Sequence, residues 1–575
     1  MTLRTMGRFL PIVQWLPRYR RADLSADTLA GLIVAIMLVP QGMAYALLAG
    51  MPPETGLYAS IVPLILYGLL GSSRALAVGP VAIVSLMVAS AVGGLAETGS
   101  DAYLAAALLL ALLSGVLLIA MGAARLGFLV NFISHPVISG FISAAALVIA
   151  LSQLKYLLGL DIPRSHLITD TLAFAVRHVG DINWVTAAIS VAAIALLVYW
   201  GPVTNAVLGR MGIGQTTCVA VSRASPLAAV LVSTVVVWAF RFDLSVGVRI
   251  VGDIPAGLPP LTMPPFDSAL WLDLLPAAAL ITIVGFLESV SIAKALASKR
   301  RQKIDANQEL VALGVANLGA AFTGAYPVAG GFGRSMVNFT AGAVTPIASI
   351  VTAILIALSI LVFTPLFYFL PTAVLSAVIV VAVARLVDVA TLRHAWVYNK
   401  ADAASLIATF FAVLSLGVEI GIVTGIGLSL VLYLYRTSKP HVAIVGRVGS
   451  SEHFRNVLRH QVRTCPHVLA MRIDESLYFA NTNYLEDYLL AKVADDRRIK
   501  HVVLICSAIN FIDTSALESL FRVISELKDA GVTLHLAEVK GPVMDRLKKT
   551  ELLDHLLPGK VFLSTHEAMT DLDCV

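Results

Sequence analysis

Apolar residues run along most of this chain in blocks of about 15 to 25, broken by short polar turns, and only beyond about residue 440 do the runs shorten. Residues 102–121, AYLAAALLLALLSGVLLIAM, carry no charge over the length that a helix needs to cross a bilayer. The same reading predicts spans at 28–48, 56–70, 78–94, 102–121, 128–157, 184–200, 226–240, 275–297, 307–324, 334–346, 347–363, 368–385, 402–417 and 419–435, fourteen in all. In the tail, strand-like runs at 467–473, 502–506, 532–536 and 561–563 alternate with amphipathic stretches such as 517–527, which predicts an α/β sandwich. Asp513-Thr514-Ser515 stands immediately before that amphipathic stretch as a helix N-cap signal.

Composition agrees with a lipid-embedded chain: 58% of residues are hydrophobic and 13% charged, with mean hydropathy +0.85, against about 25% charged in soluble domains. Residues 441–575 hold 16 Lys+Arg and 18 Asp+Glu, leaving 25 and 18 for residues 1–440, so the tail has the charge density of a soluble domain. The expected organisation is an N-terminal segment 1–27, a transmembrane domain 28–438 and a soluble domain 439–575. The formal net charge of +5 is no sign of nucleic-acid binding, because the excess sits in the membrane part, where it orients helices. With both termini inside, 18 of the 22 Lys+Arg outside the spans of residues 1–440 face inward, and Lys155, Lys294 and Arg334 are embedded. Arg4, Arg8, Arg18, Arg20 and Arg21 precede a first apolar run that contains Gln41, which reads as a first transmembrane helix rather than a cleaved signal. Cys218, Cys465, Cys506 and Cys574 show neither a zinc spacing nor an evident disulfide framework, so reduced cytoplasmic thiols and no metal are expected.

Two spans are interrupted. Residues 71–80, GSSRALAVGP, lead into the third, with Pro80 expected in its first helical turn, and residues 326–333, YPVAGGFG, lead into the tenth. Each is third in a set of seven, and paired broken helices at matching places point to an inverted-repeat transporter with a midplane site. Unsatisfied N–H groups and the positive dipole end at each half-helix start would together favour an anion.

The runs VPQGMAYALLAG (39–50), VGPVAIVSLM (78–87), HPVISGFISAAALVIALSQLKYLLG (135–159), VGDIPAGLPP (251–260), FLESVSIAKALASK (286–299) and GAYPVAGGFGRSMVN (324–338) resemble, in order, the signatures of the sulfate permease family of anion transporters. The tail resembles a STAS domain, the module shared with anti-sigma factor antagonists. The resemblance implies seven plus seven inverted repeats, with a core (spans 1–4 and 8–11) moving against a gate (spans 5–7 and 12–14) in a homodimer. It implies a substrate site at Gln41, Tyr45, Val81, Ala82, Arg334, Ser335 and Met336. Position 333 departs from the frequent family serine: Gly333 has no hydroxyl, which leaves backbone N–H groups near Ser335 and Met336.

Gln41 and Tyr45, four apart, share a helix face and can both donate hydrogen bonds, although such pairs also join membrane helices. Arg334 has no acid near it in sequence, and it either attracts the anion or holds the half-helix against the third span. Glu288 is the single acid between Leu274 and Ala297; a carboxylate beside an anion site repels substrate until protonated, which links proton uptake to anion binding. The competing reading pairs it with Lys294 or Arg334. One carboxylate is a thin site for sodium, so protons are the expected coupling ion. Ser515 aligns with the serine phosphorylated in antagonist proteins, with helix capping as the plain alternative.

The expected function is proton-coupled sulfate symport in a bacterial inner membrane, both termini cytoplasmic, with a cytoplasmic protein as the tail's partner and no cofactor. Bicarbonate or C4-dicarboxylate transport, or an anion channel, are the alternatives. With no Walker sequence, HExxH or organised nucleophile–base pair, enzyme activity is not expected.

Overall fold

The computed structural model describes residues 10–131, 134–162, 168–212, 218, 221–255 and 257–574. Arg4, Arg8 and Ala256 therefore lie outside the described residues. Every expected span contains a helix: α1 (Arg21–Leu48), α2 (Val62–Leu70), α3 (Ala82–Gly93), α4 (Asp101–Ala123), α5 (His135–Ser152), α6 (Trp184–Arg210), α7 (Ser225–Phe240), α8 (Ser268–Lys299), α9 (Ala306–Phe322), α10 (Phe332–Thr340), α11 (Ile347–Phe363), α12 (Thr372–Ala384), α13 (Lys400–Leu416) and α14 (Val418–Ser438).

The half-helices differ from the expectation in a way that matters for the site. α3 and α10 have 12 and 9 residues, so at 1.5 Å per residue each is far short of a hydrocarbon core of about 30 Å. Extended backbone precedes each: β1 (Val78–Gly79) and β2 (Ala329–Gly330) pair antiparallel, Val78 opposite Gly330 and Gly79 opposite Ala329. Gly79 needs to be glycine, since its φ is +150°. Pro80 is not in the first turn of α3, as expected, but two residues ahead of it, because the β1 pairing holds the chain extended there. The tenth span, expected at 334–346, ends as a helix at Thr340; Gly342 turns at φ +96°, and the amides of Val344 and Thr345 donate to the buried Asp27 carboxylate at 2.6 and 3.1 Å. α1 starts seven residues before the apolar run, because hydropathy marks the lipid-matched segment while the helix continues through charged turns.

Helix neighbours sort into two bundles. α4 lies against α9 and α8, α9 against α2, and α1 against α11; α5 packs on α13 and α12, and α6 on α12 and α7, while α1 also meets α12 and α7 across the two groups. These are the core and gate groupings. The α4–α9 contact depends on two glycines facing each other: a Cβ on Gly115 would stand 2.9 Å from the Gly314 carbonyl oxygen, and one on Gly314 2.8 Å from that of Gly115. Any larger residue at either place would push these helices apart.

By its internal contacts the chain divides into Met1–Ile426 and Gly427–Val575, a division that falls within α14. The second unit carries a six-stranded sheet of order β4-β3-β5-β6-β7-β8, made of β3 (Val442–Arg447), β4 (Phe454–Asn456), β5 (Val468–Ile473), β6 (His501–Ile505), β7 (Thr533–Ala537) and β8 (Val561–Phe562). β3 pairs antiparallel with β4 and β5, and the remaining pairings are parallel. Helices α15 (Thr482–Asp495) and α16 (Thr514–Asp529) bury Leu485, Leu489, Leu520, Ile524 and Leu527 on the face presented by Met471, Leu504 and Leu536. The other face is covered in part by α17 (Thr565–Asp571) through Ala568 and Met569.

The four cysteines are not all reduced: Cys465 and Cys574 are disulfide-bonded, 109 residues apart, with Cα atoms 5.6 Å apart. The spacing could not announce this, because only the return of the chain after α17 brings Cys574 to the start of β5.

His535, 3% exposed on β7, gives this unit a pH-sensitive core. The Lys560 N–H donates to its Nδ1 at 3.2 Å, so the ring proton sits on Nε2, which faces His501 Nδ1 at 3.1 Å. Burial, with His501 next to it, pushes His535 from its ordinary 6.5 down to about 4. The unfolded chain therefore binds a proton near pH 6.5 that the folded domain refuses until about pH 4, so stability falls as pH drops through that window and the contribution of the neutral ring is gone below it. Melting of the soluble unit between pH 7 and 4 should show a loss on the order of 2–3 kcal/mol that His535→Gln flattens; an unchanged pH profile in that variant would assign the loss elsewhere.

Candidate functional site

The antiparallel crossing of β1 and β2 dictates the geometry of the site. Two strands running in opposite directions each enter a helix within three residues, so the N-termini of α3 and α10 both lie beside the crossing and the helices leave it in opposite directions. The first helical N–H with a carbonyl to accept it in α3 is that of Ser85, bonded to Val81 O at 2.9 Å. In α10 it is that of Ser335, bonded to Gly331 O at 3.0 Å. The groups with no carbonyl ahead of them are thus the N–H groups of Ala82, Ile83 and Val84 on one side and of Phe332, Gly333 and Arg334 on the other. Relative to the expectation, the donors at α10 move to residues 332–334.

Arg334 is 2% exposed, and its guanidinium is turned onto the crossing itself. Nε donates to Ala77 O at 2.8 Å, Nη2 to Ala329 O at 2.8 Å, and Nη1 to Pro80 O. One planar cation thus joins both extended segments, and the Ala77 carbonyl accepts from Gly331 N at 3.1 Å as well. Ser335 adds a second tie, its hydroxyl oxygen accepting from Ala77 N at 2.9 Å. Val81 and Ala82 are buried at the start of α3, and Met336, half-buried, lies next along the first turn of α10. On α1, Gln41 Nε2 donates to Tyr45 Oη at 3.0 Å. Tyr45, Glu288 and Arg334 stand close enough to act on one another electrostatically. Gly333 is exposed, and a Cβ there would meet nothing within 4 Å.

Glu288 on α8 makes no ion pair with Lys294 or Arg334 among the described residues. Its Oε2 is buried and has no hydrogen-bond partner. The carboxyl borders a cavity of about 20 Å³ whose other walls are Ile83, Val284 and Leu287 from the core bundle and Val137, Ile138, Phe141, Ile142 and Ile422 from the gate bundle. A water there would find one polar neighbour where it needs two to four, so the space is dry. The acid therefore sits on the apolar seam between the bundles.

The residues that hold the crossing in place are not distinguished in the sequence. Ser289, beside Glu288, accepts from Gly330 N at 2.8 Å while donating to Gly285 O at 2.5 Å. Asn317 on α9 forms a two-way bridge to Val328, accepting from its N–H at 2.9 Å and donating to its carbonyl at 3.0 Å. Glu309, fully buried on α9, accepts from Tyr67 Oη, Ser72 N and Ser72 Oγ, each at 2.7 Å, and from Ser73 N at 3.1 Å. The one available signal was an acid inside the ninth apolar run; its partners lie more than 200 residues away.

In the soluble unit, Asp513 caps α16, accepting from Ala516 N at 2.8 Å and, through its other oxygen, from Phe479 N at 2.9 Å. Ser515 is exposed in the first turn of that helix.

Residues 24–409 match the sulfate permease family and residues 459–568 match the STAS domain. Sulfate transporter 4.1, chloroplastic, of Arabidopsis thaliana is 38% identical over 97% of this chain and 82% of its own length. High affinity sulfate transporter 2 of Stylosanthes hamata is 32% identical over 97% and 85%. Among solved structures, the murine Solute Carrier 26 family member A9 anion transporter in its inward-facing state superposes with a TM-score of 0.90 at 24% identity, covering 100% of this chain and 96% of that one. The transmembrane domain of the cyanobacterium bicarbonate transporter BicA gives a TM-score of 0.60 at 23% identity over 71% of this chain and 98% of its own.

Proposed function

This chain belongs to the sulfate permease family, and from that membership we propose that it is a secondary active transporter of a small anion, carrying sulfate with protons by elevator-type alternating access. The observation that carries the reading is the pair of half-helix N-termini beside one crossing, six backbone N–H groups with no carbonyl of their own and two positive dipole ends. In this reading Gln41 and Tyr45 supply side-chain donors, Val81, Ala82, Ser335 and Met336 shape the two helix starts, and Arg334 keeps them in register while adding positive charge. Glu288 is the coupling group. An anion approaching its carboxylate is repelled, and on the apolar seam the buried Oε2 has no donor and Arg334 acts on the charge only from beyond ion-pair distance, so the protonated acid accompanies the bound anion. The same seam, dry and almost wholly apolar, lets the core bundle slide past the gate without breaking polar contacts.

The proposal extends to a homodimer in a bacterial inner membrane, divided near residue 439, with both termini cytoplasmic and the soluble domain open to a protein partner. Phosphorylation of Ser515 would add charge at the α16 N-terminus, where the helix dipole favours it. Cysteines introduced at Asp101 and Arg301 should label from outside and inside respectively; labelling of both from one face would overturn the topology.

The function is tested by uptake into liposomes holding the purified protein, with sulfate, bicarbonate and fumarate under imposed proton or sodium gradients. Saturable sulfate accumulation driven by the proton gradient is expected. Preference for bicarbonate would move the chain toward the substrate named for the BicA likeness, and flux set by voltage alone would make it a channel. Gly333→Ser has room for its hydroxyl and should tighten anion binding by about two- to tenfold through one added hydrogen bond. Unchanged affinity, read by anion titration, would place position 333 away from the anion.

A further inference from the structure

Cys465, His467 and Cys574 converge at one edge of the soluble unit, outside every role described above. All three are half-buried, and their ligating atoms lie within 4.8 Å of one another. His467 Nε2 stands 3.6 Å from Cys465 Sγ and 3.4 Å from Cys574 Sγ. A tetrahedral zinc with bonds of about 2.3 Å to sulfur and 2.0 Å to nitrogen holds such atoms about 3.5 Å apart. The backbone supporting them is pinned: the His467 carbonyl accepts from Lys500 N and His501 N at 2.9 and 3.1 Å, and Cys574 N donates to Met569 O at 2.9 Å.

We propose that Cys465, His467 and Cys574 form a zinc(II) site in the state in which the Cys465–Cys574 disulfide is reduced. Two thiolates and an imidazole select a borderline-soft d10 cation over magnesium or calcium, and three protein ligands leave the fourth position to water. Reduction by an external dithiol breaks the S–S bond: two electrons and two protons pass to the protein sulfurs, and the dithiol leaves as a disulfide. Zinc then displaces both thiol protons. His467 Nε2 gives up its hydrogen bond to Leu572 O, 3.2 Å away, and its proton moves to Nδ1, so that the nitrogen lone pair faces the metal. In the other direction, a small-molecule disulfide takes two electrons from the thiolates, the protein disulfide re-forms, and the cation is released. In either filled state the segment after α17 is tied to the start of β5, covalently in one and through the metal in the other.

The test uses the tag-free full chain in detergent, reduced with a phosphine without oxygen, and cobalt(II) as spectroscopic probe. One equivalent should bind with sulfur-to-cobalt charge transfer and tetrahedral d–d bands, be displaced by zinc, and fail to bind the oxidised chain. The double variant Cys465→Ser/Cys574→Ser should lose the spectrum, and His467→Ala should weaken binding at least about tenfold. In the unmutated reduced chain, zinc should slow alkylation of Cys465 and Cys574, read peptide by peptide, which keeps the test independent of variant folding. An octahedral spectrum, binding indifferent to His467→Ala, or alkylation of both cysteines unchanged by zinc would each overturn the site.

Discussion

Arg334→Ala is expected to reduce transport by about a hundredfold or more while leaving the chain inserted in the membrane. The substitution removes three charge-assisted hydrogen bonds from buried carbonyls; Ala77 O keeps the Gly331 N–H, and each carbonyl left with no donor costs about 1–3 kcal/mol. That cost falls on the crossing of β1 and β2, so both half-helix ends lose their fixed relation at once, whereas the surrounding helices keep their packing. Arg334→Lys separates the two roles the residue can play. An ammonium keeps the charge but lacks the planar fork that reaches carbonyls on two strands. If register is the main role, lysine should restore little; if attraction alone matters, it should restore most of the affinity. Anion titration and liposome uptake on protein checked by size exclusion give the answer, and full activity of the alanine variant would reject any role at the site.

Glu288→Gln should abolish accumulation driven by a proton gradient and spare anion binding and exchange. Glutamine has the size of the neutral acid and carries no charge into the dry seam lined by Ile83, Phe141 and Ile422. The unpaired Oε2 makes the acid a poor structural brace, so its loss should cost little stability. Each coupled proton makes a one-unit inward pH gradient worth about tenfold accumulation, since one unit corresponds to 1.36 kcal/mol. The unmutated protein should reach that ratio per proton, and the glutamine variant should show none of it while still exchanging labelled sulfate. Concentrative uptake by the variant in an imposed pH gradient would remove Glu288 from coupling and return a sodium mechanism to consideration.

These two residues show how differently their surroundings could be read in the linear chain. Arg334 stood out because a cation at membrane depth needs a partner, but the partners proved to be carbonyls of residues 77, 80 and 329, and carbonyls have no signature in a sequence. Glu288 stood out as the single acid in its apolar run, and the alternatives of an ion pair with Lys294 or Arg334 were equally open there. Only packing put it on an apolar seam, near Arg334 but in an ion pair with neither. Glu309 is as unusual in its own run as Glu288, but its role depends on Tyr67, Ser72 and Ser73, which lie more than 200 residues away in sequence.

What the sequence by itself determined is what lipid and local periodicity enforce. Hydrocarbon admits only segments whose backbone bonds close internally, so apolar run length laid out fourteen helix-bearing segments, and Lys/Arg placement is the basis of the orientation proposed for them. Glycine and proline clusters at 71–80 and 326–333 marked where two helices must break, and period-two and helical patterns marked the α/β tail. The tertiary structure alone decided what those pieces do to one another: Val78 opposite Gly330, Ser289 and Asn317 gripping β2 and its approach, and Cys465 bonded to Cys574 across 109 residues. The physical reason is range. Burial and helix formation follow from neighbours a few residues apart, whereas hydrogen-bond partners and thiol contacts depend on where distant segments come to rest when helices and sheet pack.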